Sequence, residues 1–311
     1  MFKTPLFLNN RYSLVSITLI PLSWIFTILT TVRQNFSKKI TVKDKKIICI
    51  GNATVGGTGK TPIAIAIAID LKKCDKSVCF ISRGYRRKSK GFVTVNTDDA
   101  SHTGDEPQLL KQYAQTYLYS SIKDILNNIH KIKEDIIIMD DGLQNSIHKD
   151  FTALVIGRNG FGNERIMPAG PLRESKHKAL LKSHCVLMYT THNIVHRHIF
   201  KIKHHYTHNI NPQLVIAFSG LGDNQKFLHS LENLGFKVEK FYDFPDHHPY
   251  KVKDIVKIIN YAKKLDLKII TTEKDFVKIP LLYRKSISTL NIKVHLDERF
   301  IEMVRNAIYT A

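Results

Sequence analysis

The stretch that most constrains this fold is residues 45–61, KKIICIGNATVGGTGKT. Its apolar start, Lys45–Ile50, predicts a short buried strand, Gly51–Gly59 a glycine-rich turn, and the apolar run Pro62–Leu71 a helix opened by Thr61. Strand, glycine turn and helix N-terminus in that order aim backbone N–H groups and positive helix potential at an anion. In such a cradle Thr54, Val55, Gly56, Gly57, Thr58 and Gly59 surround nucleotide phosphates. Lys60 reaches the β- and γ-phosphates, and the Thr61 hydroxyl holds Mg²⁺. The strict loop pattern places Gly at position 54, where Thr54 stands; Gly56 and Gly57 supply the flexibility instead.

A chain of 311 residues has room for two domains. Lys and Arg number 47 against 27 Asp and Glu, so the net charge of +20 suits an anionic partner: nucleic acid, a lipid headgroup surface or a phosphorylated substrate. A nucleic-acid binder would carry a compact cationic stripe with stacking aromatics or a known module, and neither is present. Cys49, Cys74, Cys79 and Cys185 form no CxxC pair, so reduced thiols are the default.

From Tyr12 to Val32 run 21 residues without a charge. Pro21 and seven Ser or Thr weaken insertion across a bilayer, whereas Trp24, Phe26 and the flanking Lys3, Arg11, Arg33, Lys38 and Lys39 suit a membrane surface. The expectation is a membrane-associated helix over 12–32; a full span and a merely buried helix are the alternatives.

Downstream, strand Val78–Ser82 ends in Arg83-Gly84-Tyr85-Arg86-Arg87, cations where open α/β sheets bind ligands. Asp105 and Glu106 precede Pro107 at a helix mouth; either they complement the helix dipole or one of them takes a proton from a substrate hydroxyl. Strand Ile136–Met139 runs into Asp140-Asp141-Gly142, the Walker B pattern whose carboxylate holds Mg²⁺. Phe151–Gly157 reads as a further strand, residues 158–175 as a shaped loop ending in Arg173 and Glu174, and Val186–Tyr189 as a last strand of the first unit. Six histidines lie between 190 and 208, at 192, 196, 198, 204, 205 and 208; with no Cys or carboxylate beside them they read as a basic connector, with a metal site the alternative.

A second α/β unit starts near Pro212. Strands Leu214–Phe218, Lys237–Tyr242 and Lys268–Thr272 alternate with helices Asn224–Leu234 and Val252–Leu265, which implies a parallel sheet in each half. Ser219–Gly222 contains a G-x-G, but Gln225 occupies the third glycine position of a dinucleotide fingerprint. The strand over 237–242 leads to Phe244-Pro245-Asp246-His247-His248, and a His there can polarise a carboxylate or move protons.

Taken in order, Gly51–Pro62, Ser82–Tyr85, Gly104-Asp105-Glu106, Asp140-Asp141-Gly142-Leu143-Gln144, Pro168–Glu174, Pro245-Asp246-His247 and Thr272–Lys278 resemble the tetraacyldisaccharide 4′-kinase family (LpxK) of lipid A synthesis. The resemblance implies an α/β fold: a P-loop NTPase-type parallel-sheet kinase domain over 1–208, carrying the membrane-binding helix, and a smaller α/β domain over 209–311. It implies phosphorylation by ATP of the 4′-hydroxyl of an acylated glucosamine disaccharide 1-phosphate, giving lipid IVA. The enzyme would act as a monomer at the cytoplasmic face of the inner membrane, with ATP and Mg²⁺ and no nucleic acid. By similarity Asp105 is the general base with His247 as its partner, Lys60 and Arg173 serve the transferred phosphoryl group, and Thr61, Asp140, Asp141 and Glu174 serve the metal. Glu106 and Gln144 complete the active-site set. Uniting Asp105 with His247 would require the two units to close on each other. Two features depart from the family pattern: Asn145 stands where a His usually follows the Gln, and residues 107–135 contain no Arg, Lys123 being the nearest candidate for its place. The rivals are a switch NTPase without a small acceptor, a kinase for another acceptor, and a soluble kinase.

Overall fold

A computed structural model describes residues 5–36, 40–85, 87–97 and 100–309; Lys3, Lys38, Lys39 and Arg86, named above among the basic residues, lie outside them. After a 3-10 turn at Leu6–Leu8 come helices α1 (Leu14–Thr18) and α2 (Ile20–Phe36). Then follow β1 (Lys46–Gly51), α3 (Lys60–Lys73), β2 (Val78–Ser82), β3 (Val93–Thr94), α4 (Ala100–Thr103), α5 (Asp105–Lys111), β4 (Gln115–Leu118), α6 (Ile122–Asn128), β5 (Ile136–Asp140), β6 (Phe151–Ile156), α7 (Lys176–Leu181), β7 (Cys185–Met188) and β8 (Ile199–Lys201). These eight strands form one sheet in the order β3-β4-β2-β5-β1-β6-β7-β8, parallel except for the β3–β4 edge pair.

The second sheet is built from β9 (Lys203–His208), β10 (Leu214–Ser219), α8 (Asn224–Asn233), β11 (Lys237–Asp243), α9 (Val252–Lys264), β12 (Lys268–Thr272), α10 (Glu273–Phe276), α11 (Leu281–Arg284) and β13 (Ile287–His295), and the chain ends in α12 (Glu298–Tyr309). Its order is β11-β10-β12-β13-β9, and the edge strand β9 runs antiparallel to β13. So the expectation of a parallel sheet in each half needs one correction: each sheet carries an antiparallel strand at one edge, where no crossover helix is required.

The central strands are near-continuous apolar runs because both faces are covered. Alternation along β1 sends Ile48 and Ile50 into a core with Ile63, Ile67, Phe80, Ile138 and Phe151, while Ile47 joins Cys79, Ile81, Tyr117 and Met139 on the other face. Helix α12 returns to the first sheet: Phe300 and Val304 are buried in the same core as Phe151 and Phe200, and the Arg305 guanidinium grips Asp70 of α3 at 2.7 Å. Because β1, β2, β5 and β6 are parallel, their carboxyl ends gather at one rim. Helix α3 carries the chain from β1 across β5 to β2, so the loop after β1 opens where the strand order switches direction, the place for a ligand crevice in such sheets.

Helices α1 and α2 lie against the 158–175 loop through polar staples. Ser16 and Ser23 are buried; the Ser23 hydroxyl donates to the Ile166 carbonyl at 2.7 Å, and Ser16 receives Asn163 Nδ2 at 2.9 Å and Arg165 Nη1 at 2.8 Å. The opposite side leaves Leu22, Trp24, Ile25, Ile28, Leu29 and Val32 exposed. Among the described residues no helix is long and apolar enough to cross a membrane. His192, His196 and His198 precede or flank β8, whereas His204, His205 and His208 lie on β9; among the described residues no group of three or more His, Cys, Asp or Glu is placed to hold a metal ion.

Candidate active site

The loop after β1 closes at Gly59, whose left-handed backbone (φ 77°) caps α3. A Cβ there would meet the Tyr189 hydroxyl at 2.5 Å, and that hydroxyl donates to the Gly59 carbonyl, so Gly59 satisfies both a backbone and a space requirement. Thr54 is bridged to Leu172, and Val55 N–H donates to the Pro171 carbonyl at 2.8 Å, so the start of the loop is fixed against the segment that carries Arg173 and Glu174. Gly56 and Gly57 have open space around their Cβ positions, and Thr58 is buried.

The cations and acids of the rim are ordered by mutual contacts. Lys60 Nζ donates to Asn52 Oδ1 at 3.1 Å and stands 3.6 Å from Asp141 Oδ1. Arg173 Nη1 donates to Asp141 Oδ2 at 2.9 Å. Burial alone would raise the Asp141 pKa, but Lys60 and Arg173 hold it below the usual carboxylate range. Asp141 also has a left-handed backbone (φ 65°), which turns the chain sharply after β5. Asp140 is different. It accepts the Thr61 hydroxyl at 3.0 Å on Oδ2, while its buried Oδ1 has no hydrogen-bond partner. Burial, helped by the charges of Glu106 and Asp141, pushes Asp140 up to about 7 against the opposing pull of Lys60 and Thr61. A buried carboxylate with an orphan oxygen beside a hydroxyl is a site short of positive charge, and these oxygen donors fit a hard divalent cation such as Mg²⁺. Glu174 is buried but already engaged: Gln144 Nε2 bridges its Oε1 (3.1 Å) and the Asn52 carbonyl (2.9 Å), and Lys182 holds Oε2 at 2.5 Å.

A second group assembles from both sheets. Asp105 opens α5 after Gly104, and its Oδ2 lies 2.8 Å from His247 Nδ1 in the turn after β11. Contact between them is thus already made, which corrects the expectation that further closure is needed to unite them. The ring of Tyr85 lies 5.7 Å from that of His247. Burial favours a protonated Asp105, yet the His247 hydrogen bond and the charge of Lys278 keep its pKa below the usual carboxylate value. Asp105, His247, Tyr85, Lys88, Lys278 and Arg284 line one cavity of about 440 Å³. The charge of Glu106, the residue after Asp105, acts on Asp140 and so links the two groups electrostatically.

Of the residues that depart from the family pattern, Asn145 donates to the sulfur of Met139 at 2.8 Å and Lys123 is exposed on α6. Asn52, Lys182, Tyr189 and Lys278 escaped the sequence reading as site residues. Asn52 and Lys278 fall inside the matching stretches Gly51–Pro62 and Thr272–Lys278 without being singled out there; Lys278 also stands three residues after Asp275, which reads equally well as a helix surface pair.

Fold and loop together define an α/β phosphoryl-transfer enzyme of the P-loop type. The tetraacyldisaccharide-1-P 4′-kinase family, LpxK, matches residues 15–309. Proteins named tetraacyldisaccharide 4′-kinase from Rickettsia conorii and Rickettsia canadensis are 33% and 35% identical, over 86% of this chain and 87% and 86% of their own lengths. A crystal structure of LpxK from Aquifex aeolicus, described as in complex with ATP, superimposes with a TM-score of 0.80 at 28% identity, over 95% of this chain and all of that one. The chain belongs to the tetraacyldisaccharide 4′-kinase family.

Proposed function

We propose that this chain transfers the γ-phosphoryl group of ATP to the 4′-hydroxyl of an acylated glucosamine disaccharide 1-phosphate, forming lipid IVA. The observation that carries this reading is the carboxylate–imidazole pair of Asp105 and His247, 2.8 Å apart at the edge of a phosphate-loop rim. A switch NTPase has no use for such a pair; an alcohol acceptor needs one.

Asp105 accepts the proton of the attacking hydroxyl as the new O–P bond forms and the bond from the γ-phosphorus to the β–γ bridging oxygen breaks, releasing ADP, and His247 orients the carboxylate through Nδ1. Lys60, at the start of α3, and Arg173, from the neighbouring loop, supply charge to the transferred group; in the resting site both neutralise Asp141. Thr54, Val55, Gly56, Gly57, Thr58 and Gly59 enclose the phosphates. Thr61 and Asp140 would hold Mg²⁺, with Asp141 and Glu174 reaching it through rearranged contacts. When bound, Mg²⁺ draws negative charge from the β- and γ-phosphates. Glu106 and Gln144 tune this centre, one by its charge on Asp140, the other by fixing Glu174.

The kinase unit is assigned to residues 1–208 and the smaller unit to 209–311, with β9 and α12 as the elements that cross between them. The exposed apolar side of α2 rests on the inner membrane at its cytoplasmic face and places the acylated acceptor near the 158–175 loop. The enzyme acts as a monomer, and no nucleic acid takes part. Incubation of the chain with ATP, Mg²⁺ and tetraacylated disaccharide 1-phosphate in detergent, followed by mass spectrometry, is expected to give a product heavier by one phosphate. ATP hydrolysis without a phosphorylated lipid would contradict the reading.

A further inference from the structure

We propose that Asn52 is the positioning residue of Lys60, a buried neutral amide that aims the ammonium at the transferred phosphoryl group without cancelling its charge. The inference rests on the reading of Lys60 as a cation that serves that group. Asn52 directly follows β1 and is fully buried. An ammonium has donors only, so the 3.1 Å contact of Lys60 Nζ fixes Oδ1 as the amide atom that faces it. Nδ2 is then turned to the start of the phosphate loop, where it donates to the Thr54 carbonyl at 2.7 Å. The Asn52 carbonyl accepts Gln144 Nε2 at 2.9 Å; Gln144 is bonded in turn to Glu174, which Lys182 holds. Oxygen, nitrogen and carbonyl of this one residue thus tie Lys60, the phosphate loop and the chain after β5 into a single network, and a satisfied buried network is rigid.

Lys60 carries three N–H donors. One meets Asn52 Oδ1, and Asp141 Oδ1 stands 3.6 Å from the same nitrogen. The Lys60 side chain is only 11% exposed, so protein oxygens rather than water set the direction of its ammonium. Drawn onto Asp141 alone, Lys60 would form a neutral ion pair with a carboxylate that Arg173 already grips at 2.9 Å. The Asn52 oxygen holds the ammonium off that pairing and adds no negative charge of its own. A third N–H is left for a phosphate oxygen. Lysine acts on phosphate as a point charge, so its effect on the developing charge depends on where the nitrogen is held. Loss of Asn52 therefore lets Lys60 collapse toward Asp141 and weakens transfer more than it weakens ATP binding.

The test is a double-mutant cycle in the transfer assay: wild type, Asn52→Ala, Lys60→Ala and Asn52→Ala/Lys60→Ala, with ATP binding followed by calorimetry and folding by thermal melting. Asn52→Ala is expected to lower kcat about 10- to 100-fold. Its KM for ATP should change by less than about threefold, because the loop N–H groups still hold the phosphates. Since Asn52 acts through Lys60, the double variant should be slower than Lys60→Ala by no more than about twofold. A residue that merely shaped the loop would lower ATP affinity, and its loss would multiply that of Lys60→Ala. Should Asn52→Ala fail to fold, the cycle is run with Asn52→Ser, which keeps a polar group one atom too short to reach Lys60. Wild-type kcat in a folded Asn52 variant, or losses that multiply in the double variant, overturns the role of Asn52 alone. Wild-type transfer by Lys60→Ala sinks the reading of Lys60 and this proposal with it.

Discussion

His247 occupies a left-handed backbone conformation, φ 60°, with its N–H donating to the Gly220 carbonyl at 3.2 Å. For a residue with a Cβ this costs on the order of 1–3 kcal/mol, and the turn spends it on delivering an imidazole to Asp105. Asn tolerates the same conformation, so His247→Asn removes the ring without breaking the turn. The His247 hydrogen bond is among the influences that hold the Asp105 pKa down against burial. Asp105 stays ionised until pH falls through its lowered pKa, and the stability tied to that charge is present above the ordinary carboxylate value and lost below it. In His247→Asn the pKa rises, so the acid limb of kcat/KM should move to higher pH and kcat/KM should fall about 10- to 100-fold. A pH–rate profile identical to wild type would separate His247 from the base. Lys60, Thr61 and Asp140 stood out in the sequence because each follows a strand or opens a helix in a fixed motif, whereas position left Asp105 open between a helix-dipole complement and a proton acceptor, and only the resemblance chose between them. Asn52 and Lys278 lay inside matching stretches but were not singled out, because their contacts with Lys60 and Asp105 arise only when residues 8 and 173 positions away are folded against them.

At the scale of elements, α1 and α2 are divided by chemistry. The Ser and Thr that argued against a membrane span are partly used to dock these helices: Ser16 and Ser23 bond to the 158–175 loop, and Thr27 and Thr30 donate to carbonyls of their own helix. What remains outward is apolar, with Trp24 67% and Ile28 61% exposed. An apolar helix face with basic flanks binds a bilayer interface in proportion to the area it buries. Trp24→Glu/Ile28→Glu should therefore lose flotation with anionic liposomes while keeping transfer to detergent-dispersed acceptor; unchanged flotation would contradict the membrane role of α2. The elements most legible in the sequence were the buried parallel strands β1, β2 and β5 and the helices beside them. Others went unread: β4 is a four-residue strand with polar Gln115 and Thr116, and β13 reads as ISTLNIKVH, without an apolar run to mark it. Helix α12 lies beyond the motifs, and its burial of Phe300 and Val304 against the first sheet is a tertiary fact that no local pattern contains.

The whole molecule is two sheets that share one site. The first supplies the phosphate loop, the acids after β5 and Asp105; the second supplies His247 and Lys278, and Tyr113 adds a further tie between them through its 2.9 Å bond to Glu273. The class of fold was readable from the strand–loop–helix at residues 45–61, but the joining of the two sheets at the Asp105–His247 pair was readable only from the family's ordered motifs, since the two residues are 142 positions apart. The account stands most directly on Asp105. Phosphoryl transfer from labelled ATP to tetraacylated disaccharide 1-phosphate should be measured for wild type and Asp105→Ala, with ATP binding followed in parallel. The account predicts that transfer collapses by about 10²-fold or more in the variant while ATP still binds; undiminished transfer by a folded, ATP-binding Asp105→Ala would contradict it.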